Sequence, residues 1–178
     1  IASKITNPEN GIKLDITVTS TDTDGSEHFN VTIKDIPNGG AIFIKEPITN
    51  GKNLLVTYDN DGNPKIEIWN SNGTTSSYIG TAIKADKGTI TIEKYDNANP
   101  PKFIPPHNAH GDFDLKVGVV TVDTATIDGK TVTSEKPVSE DKTVTVIVKD
   151  VADVVQGNDY NLVDLTATLG TEDEVIGT

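Results

Sequence analysis

The sequence has no cysteine, no methionine and no arginine. Without cysteine there is no disulfide, no zinc–thiolate centre and no cysteine nucleophile. A chain of 178 residues does not need such staples, since that length buries a substantial core. It suffices for one ordinary domain or two small ones. Because residue 1 is isoleucine, not an initiating methionine, the expectation is a piece of a longer protein. No run of about 18 apolar residues occurs, so no membrane-spanning helix is expected. No secretory signal is visible either. With arginine missing, 15 lysines face 27 acidic residues and the net charge is -12. That balance argues against nucleic-acid binding, which needs clustered basic side chains to neutralise phosphates. So much like charge repels itself at close quarters. Either hard divalent cations with oxygen ligands offset it, or it serves solubility alone.

What the chain does contain is alternation. Ile12, Leu14, Ile16 and Val18 alternate with polar neighbours, as do Phe29, Val31 and Ile33. The same period of two recurs at Ile66 and Ile68, at Ile90 and Ile92, from Phe113 to Val119, and from Val144 to Val148. These runs are rich in β-branched residues and bounded by Gly, Pro, Asn or Asp. No segment has a helical period. The turns "DGSE", "IPNGG", "DNDGNP", "NSNGTT", "DKGT", "AHGD" and "IDGK" use residues that tolerate left-handed backbone. Many short strands at this spacing predict an all-β chain, an antiparallel β-sandwich with extended loops. The Pro-rich stretch "IEKYDNANPPKFIPPHNAHG" cannot be central strand for most of its length.

The two ends resemble each other. In "TNPENGI" and "LGTEDEV", Glu9 falls on Glu172, Asn10 on Asp173 and Ile12 on Val175. The boundaries that follow are one β-sandwich module at 1–153. Residues 154–178 are then a linker and the first strand of a following module, or a terminal strand added to the main sheet.

Acidic clusters are the first candidates for chemistry. In "STDTDGSEHFN", Asp22 and Asp24 could converge on one ion, Gly25 permits a tight bend, and Glu27 could add a carboxylate. A solvated turn fits the same residues. Asp59, Asp61 and Asn63 have the one-three-five spacing of a calcium loop, but Pro64 stands where such a loop needs glycine, and a hairpin turn is the competing reading. Asp112, Asp114 and Asp123 lie near predicted strand ends and are either ligands or solvated. The histidines His107 and His110 frame "HNAH" without an evident third ligand. No "G-x-S-x-G" nucleophile elbow occurs, and scattered carboxylate pairs identify no hydrolase, so the expectation is that the chain is not an enzyme.

Three segments together carry a family likeness. "TSTDTDGSEHFNVTIKDIPNGGAIF", "FIPPHNAHGDFDLKVGVVTVDT" and "KTVTVIVKDVAD" resemble, in order, the repeats of giant bacterial adhesins secreted by the type I route, the RTX adhesins. The resemblance covers roughly half the chain. It implies an immunoglobulin-like or cadherin-like sandwich, tandem arrays, an extracellular place on the bacterial surface, and Ca2+ at Asp22, Asp24 and Glu27. It also implies calcium at module junctions, here Asp150 and Asp153 with Glu9 or Glu172. The chain departs from the family in its extra length between Pro47 and Pro106, which reads as an elaborated loop face, the usual place for recognition. Tyr95, Asp96, Asn97, His107, Asn108 and His110 are the expected ligand-binding residues there. Trp69, Tyr58 and Tyr78 are further aromatics of the region, Trp69 being read as a cap on the sandwich core. The expected function is a calcium-stabilised, monomeric adhesin module that recognises a peptide or carbohydrate on another cell surface and adjoins neighbouring modules of its own chain. The rivals are a purely structural extender and an accessory domain of a carbohydrate-active enzyme.

Overall fold

The computed structural model describes residues 7–19, 25, 27–48, 50–137, 141–148 and 166–170. After a single 3-10 turn, Pro8–Asn10, every regular element is a strand. In chain order these are β1 (Ile12–Lys13), β2 (Asp15–Thr19), β3 (Glu27–Lys34), β4 (Ala41–Lys45), β5 (Asn53–Tyr58), β6 (Pro64–Trp69) and β7 (Thr75–Ser77). There follow β8 (Ile83–Asp86), β9 (Thr89–Ile92), β10 (Lys102–Ile104), β11 (Gly111–Ile127), β12 (Lys130–Pro137), β13 (Lys142–Val148) and β14 (Thr166–Gly170).

All but β2 and β14 form two antiparallel layers. The first sheet runs β1-β10-β4-β5-β6-β7 and the second β12-β11-β3-β9-β8. Strand β13 also pairs with β11, which is long enough to take two partners along one edge: Gly111 to Val117 against β13, then Val120 to Ile127 against β12. Its other edge holds β3 from Lys116 to Asp123. Beyond Asp123 the β11–β12 hairpin continues as a ribbon that carries the exposed Ile127 and Val132. Strand β14 pairs in parallel with β2, Thr166 opposite Asp15 through Gly170 opposite Thr19. The stretch assigned beyond the main module therefore includes a strand laid along the chain's own β2.

The apolar alternation becomes one core between the layers. Phe103, Ile42, Leu54 and Val56 come from the first sheet; Val31, Ile33, Ile90, Ile92, Leu115 and Val117 come from the second. Leu14, Ile16 and Val18 close its flank. Phe103 meets Phe113 across the layers edge-on, with ring centroids 5.7 Å apart and planes at 64°, the geometry that aromatic quadrupoles favour.

At one end the turns of both sheets are stitched together. Gly39 N–H donates to Tyr58 C=O, Asn38 Nδ2 to Asn60 C=O, and Gly88 N–H to Gly62 C=O. Tyr58 Oη crosses from β5 to donate to Thr89 C=O at 2.8 Å. The left-handed φ of +83° at Gly62 makes this stitch possible, and a Cβ there would press on Asn38 and Lys87.

These contacts give a test of the core. Phe103→Ala should cost about 3–5 kcal/mol in urea unfolding, the range for large-to-small aromatic changes. Phe113→Ala, at a half-buried position, should cost less. The double variant should reveal a coupling of about 0.5–1.5 kcal/mol beyond additivity. Strict additivity would mean the ring contact contributes nothing.

Candidate functional site

The expected metal residues divide into three groups, with Glu9 apart from them. Asp22, Asp24, Asp150, Asp153 and Glu172 lie outside the described residues. Asp59 and Asp61 close the β5–β6 hairpin: one Asp59 carboxylate oxygen accepts from the amides of Asp61 (2.9 Å) and Asn63 (2.8 Å). Those backbone bonds, Asn63's first, hold the Asp59 carboxyl below its ordinary pKa. Here the hairpin-turn reading accounts for the residues. The third group is brought together by register, because Glu27 at the start of β3 stands directly opposite Asp123 on β11. Each of the two also has an interaction partner of its own. Glu9 sits in the 3-10 turn on the first sheet's side, and its carbonyl accepts from Lys102 Nζ at 2.7 Å. Among the described residues no three acidic or histidine side chains gather as a metal-binding group.

The expected ligand-binding residues fall in two segments, one before β10 and one after it. Tyr95 is buried, and its hydroxyl donates to Ile16 C=O at 2.6 Å. Asn97 pairs its side-chain amide with the backbone of β2, accepting from Val18 N–H (2.9 Å) and donating to Val18 C=O (2.7 Å). It thus acts as one more residue of a strand. Asp96 is exposed and closes a local turn by accepting from Ala98 N–H and Asn99 Nδ2. His107, Asn108 and His110 are exposed in the segment after β10, whereas Tyr95 to Asn97 precede it, so the two groups lie at opposite ends of that strand.

Two further expectations change. The extra length between Pro47 and Pro106 goes only in part into strands, β5 to β10, which supply parts of both sheets. The remainder, more than half of it, is turns and connecting segments. Trp69 does not cap the main core. Ile66 and Ile68 point inward, so the pleat sends Trp69 to the opposite side, where it packs on a second cluster of Ala41, Phe43, Leu55 and Ile104.

That outward face of the first sheet holds a groove. It measures about 330 Å³ and is bounded by Glu9, Lys13, Phe43, Lys45, Asn53, Lys102 and the Ala98–Pro100 segment. Register explains the assembly. Lys13 pairs with Lys102, Lys102 with Phe43, and Lys45 with Asn53. Three lysines thus line the groove beside Phe43 and Glu9 in a strongly acidic chain. Lys13 contacts Asp15 at 3.0 Å and Lys102 is held by the Glu9 carbonyl. Among the described residues Lys45 has no hydrogen-bond or ion-pair partner. In the sequence these lysines are far apart and each reads as a solvated strand position. Only the order β1-β10-β4-β5 gathers them. No protein-family model, curated protein or solved structure gives a significant match to this chain.

Burial pushes the Tyr95 hydroxyl far above its ordinary pKa of 10.0, with Asp96 and Asp15 adding to the effect. A raised folded-state pKa means this contribution to stability is complete below pH 10 and is lost as pH climbs toward the folded value. Tyr95→Phe should therefore be less stable than the parent near pH 8 by about 1 kcal/mol, the worth of one hydrogen bond. The gap should narrow above pH 10, as read by urea unfolding at each pH. A gap constant through that range would contradict the buried-hydroxyl account.

Proposed function

We propose that the chain is a non-catalytic β-sandwich module of a large secreted bacterial adhesin, held extracellularly at the cell surface, and that it recognises a ligand on the outward face of its first sheet. The observation that carries this reading is the groove that three lysines line beside Phe43. A chain of net charge -12 that gathers Lys13, Lys45 and Lys102 around Phe43 has a locally inverted surface, suited to contact. The resemblance of three ordered sequence segments to type I secreted adhesin repeats supplies the biological setting. A glycan and peptide array, probed with the parent protein and with Lys45→Gln, tests recognition. Expected is a set of hits weakened by the substitution, and no hit at all would leave recognition without support.

The second reading, a structural extender, is favoured by a different observation. Strands β2 and β14 run parallel, so the chain's early and late strands point the same way, which suits modules joined in series. Calcium belongs to both readings. Glu27 and Asp123, opposed by register, would hold an ion together with Asp22 and Asp24, while Asp150, Asp153 and Glu9 or Glu172 would serve a junction between modules. An ion bound to the native state alone must raise stability. Millimolar calcium should therefore raise the thermal midpoint, and the rise should shrink in the Glu27→Gln and Asp123→Asn variants. An unchanged midpoint in the parent protein would exclude a calcium role in its stability.

A further inference from the structure

We infer that the ligand of the outward groove is an acidic oligosaccharide, bound through a sugar carboxylate at Lys45. This rests on the reading that this face is a recognition surface, and it names the chemistry of the occupant. Charge favours an anion: Lys13, Lys45 and Lys102 line the groove against one carboxylate, Glu9, Lys13 is paired with Asp15, and Lys45 is the ammonium with no partner among the described residues. A charge-assisted bond to a carboxylate is roughly twice as strong as a neutral one. The aromatic lining favours a ring. Phe43, 7% exposed, lines the groove together with the lysines, and Trp69, outside the lining, packs against the same outer cluster. Since Leu54 pairs with Ile68, Trp69 falls beside Asn53, whose amide can address hydroxyls. An apolar surface flanked by amide and ammonium donors matches a sugar with one apolar face and a polar periphery.

The sheet's topology disfavours the other anionic occupant, an acidic peptide. Extended peptides gain much of their affinity by adding a strand to a free sheet edge. Strands β10, β4 and β5, which carry Lys102, Phe43, Lys45 and Asn53, each have partners on both sides. Their backbone groups are engaged in pairing, so recognition at these three strands proceeds through side chains, while β1, which carries Lys13, is the edge strand of the sheet.

The chain's single tryptophan is a built-in reporter. Trp69 emission would be titrated, in calcium-containing buffer, with a galacturonic acid tetramer, a neutral galactose tetramer and a glutamate tetrapeptide, with calorimetry in parallel. The uronate should give a saturable change, and the neutral sugar should bind about tenfold more weakly, as loss of one charged contact predicts. Lys45→Gln should weaken uronate binding by a similar factor and Lys45→Arg should restore most of it. Lys45 is exposed, so circular dichroism should show both variants folded. The proposal is overturned if the neutral sugar or the peptide binds as well as the uronate, if Lys45→Gln changes nothing, or if neither method detects binding. If uronate fails while other array hits depend on Lys45, the recognition surface stands and its assignment to acidic sugars falls.

Discussion

Strand β10 is only three residues long, yet both faces of the first sheet depend on where it sits. It lies between β1 and β4, with Phe103 opposite both Ile12 and Ile42. Inward, Phe103 enters the main core and meets Phe113 of the other layer. Outward, Ile104 joins the second cluster and Lys102 reaches the groove. A one-residue slip of this strand would exchange the two faces, putting an ammonium in the core and a phenyl ring in water. The cost of burying an unpaired charge makes that register exclusive.

The sheet is therefore apolar on both sides in places, and β4 shows it most plainly. Ala41, Ile42, Phe43 and Ile44 are buried in succession, where a strand covered on one face only would alternate. Polar crossings then fix the layers where apolar contact leaves the relative position loosely set. Tyr58 ties β5 to Thr89 beside β9's turn, while Tyr95 and Asn97 tie the segment after β9 to β2. Directional bonds in partly buried surroundings are strong and costly to leave unmade. Side chains that read in the sequence as exposed loop chemistry thus act as fasteners.

The fold class was legible because period-two alternation is a local property. Leu14, Ile16 and Val18, or Val144, Val146 and Val148, declare their faces without reference to any partner. The turn at Asp59 was legible for the same reason, since its bonds run to residues two and four positions away. What could not be read was non-local. Tyr95 and Asn97 reach partners 79 residues earlier, and nothing near them in sequence signals it. Trp69 was misplaced by treating it as a neighbour of Ile68, when adjacency on a strand means opposite faces. The groove was hidden most deeply, because Lys13, Lys45 and Lys102 share a site only through the strand order β1-β10-β4.

The distribution of charge completes the physical picture. At the start of β3, Glu27 stands opposite Asp123 by register. At the groove, three lysines line one face of the first sheet instead. These gatherings of opposite charge lie on different sheets of one molecule. The overall acidity weakens long-range attraction of any polyanion, but that repulsion is spread over the surface and fades beyond roughly 8 Å at physiological salt. A contact at Lys45 acts well within that distance. Recognition at the outward face would then be a short-range event, selective for a ligand that brings its charge and its ring to the same few ångströms.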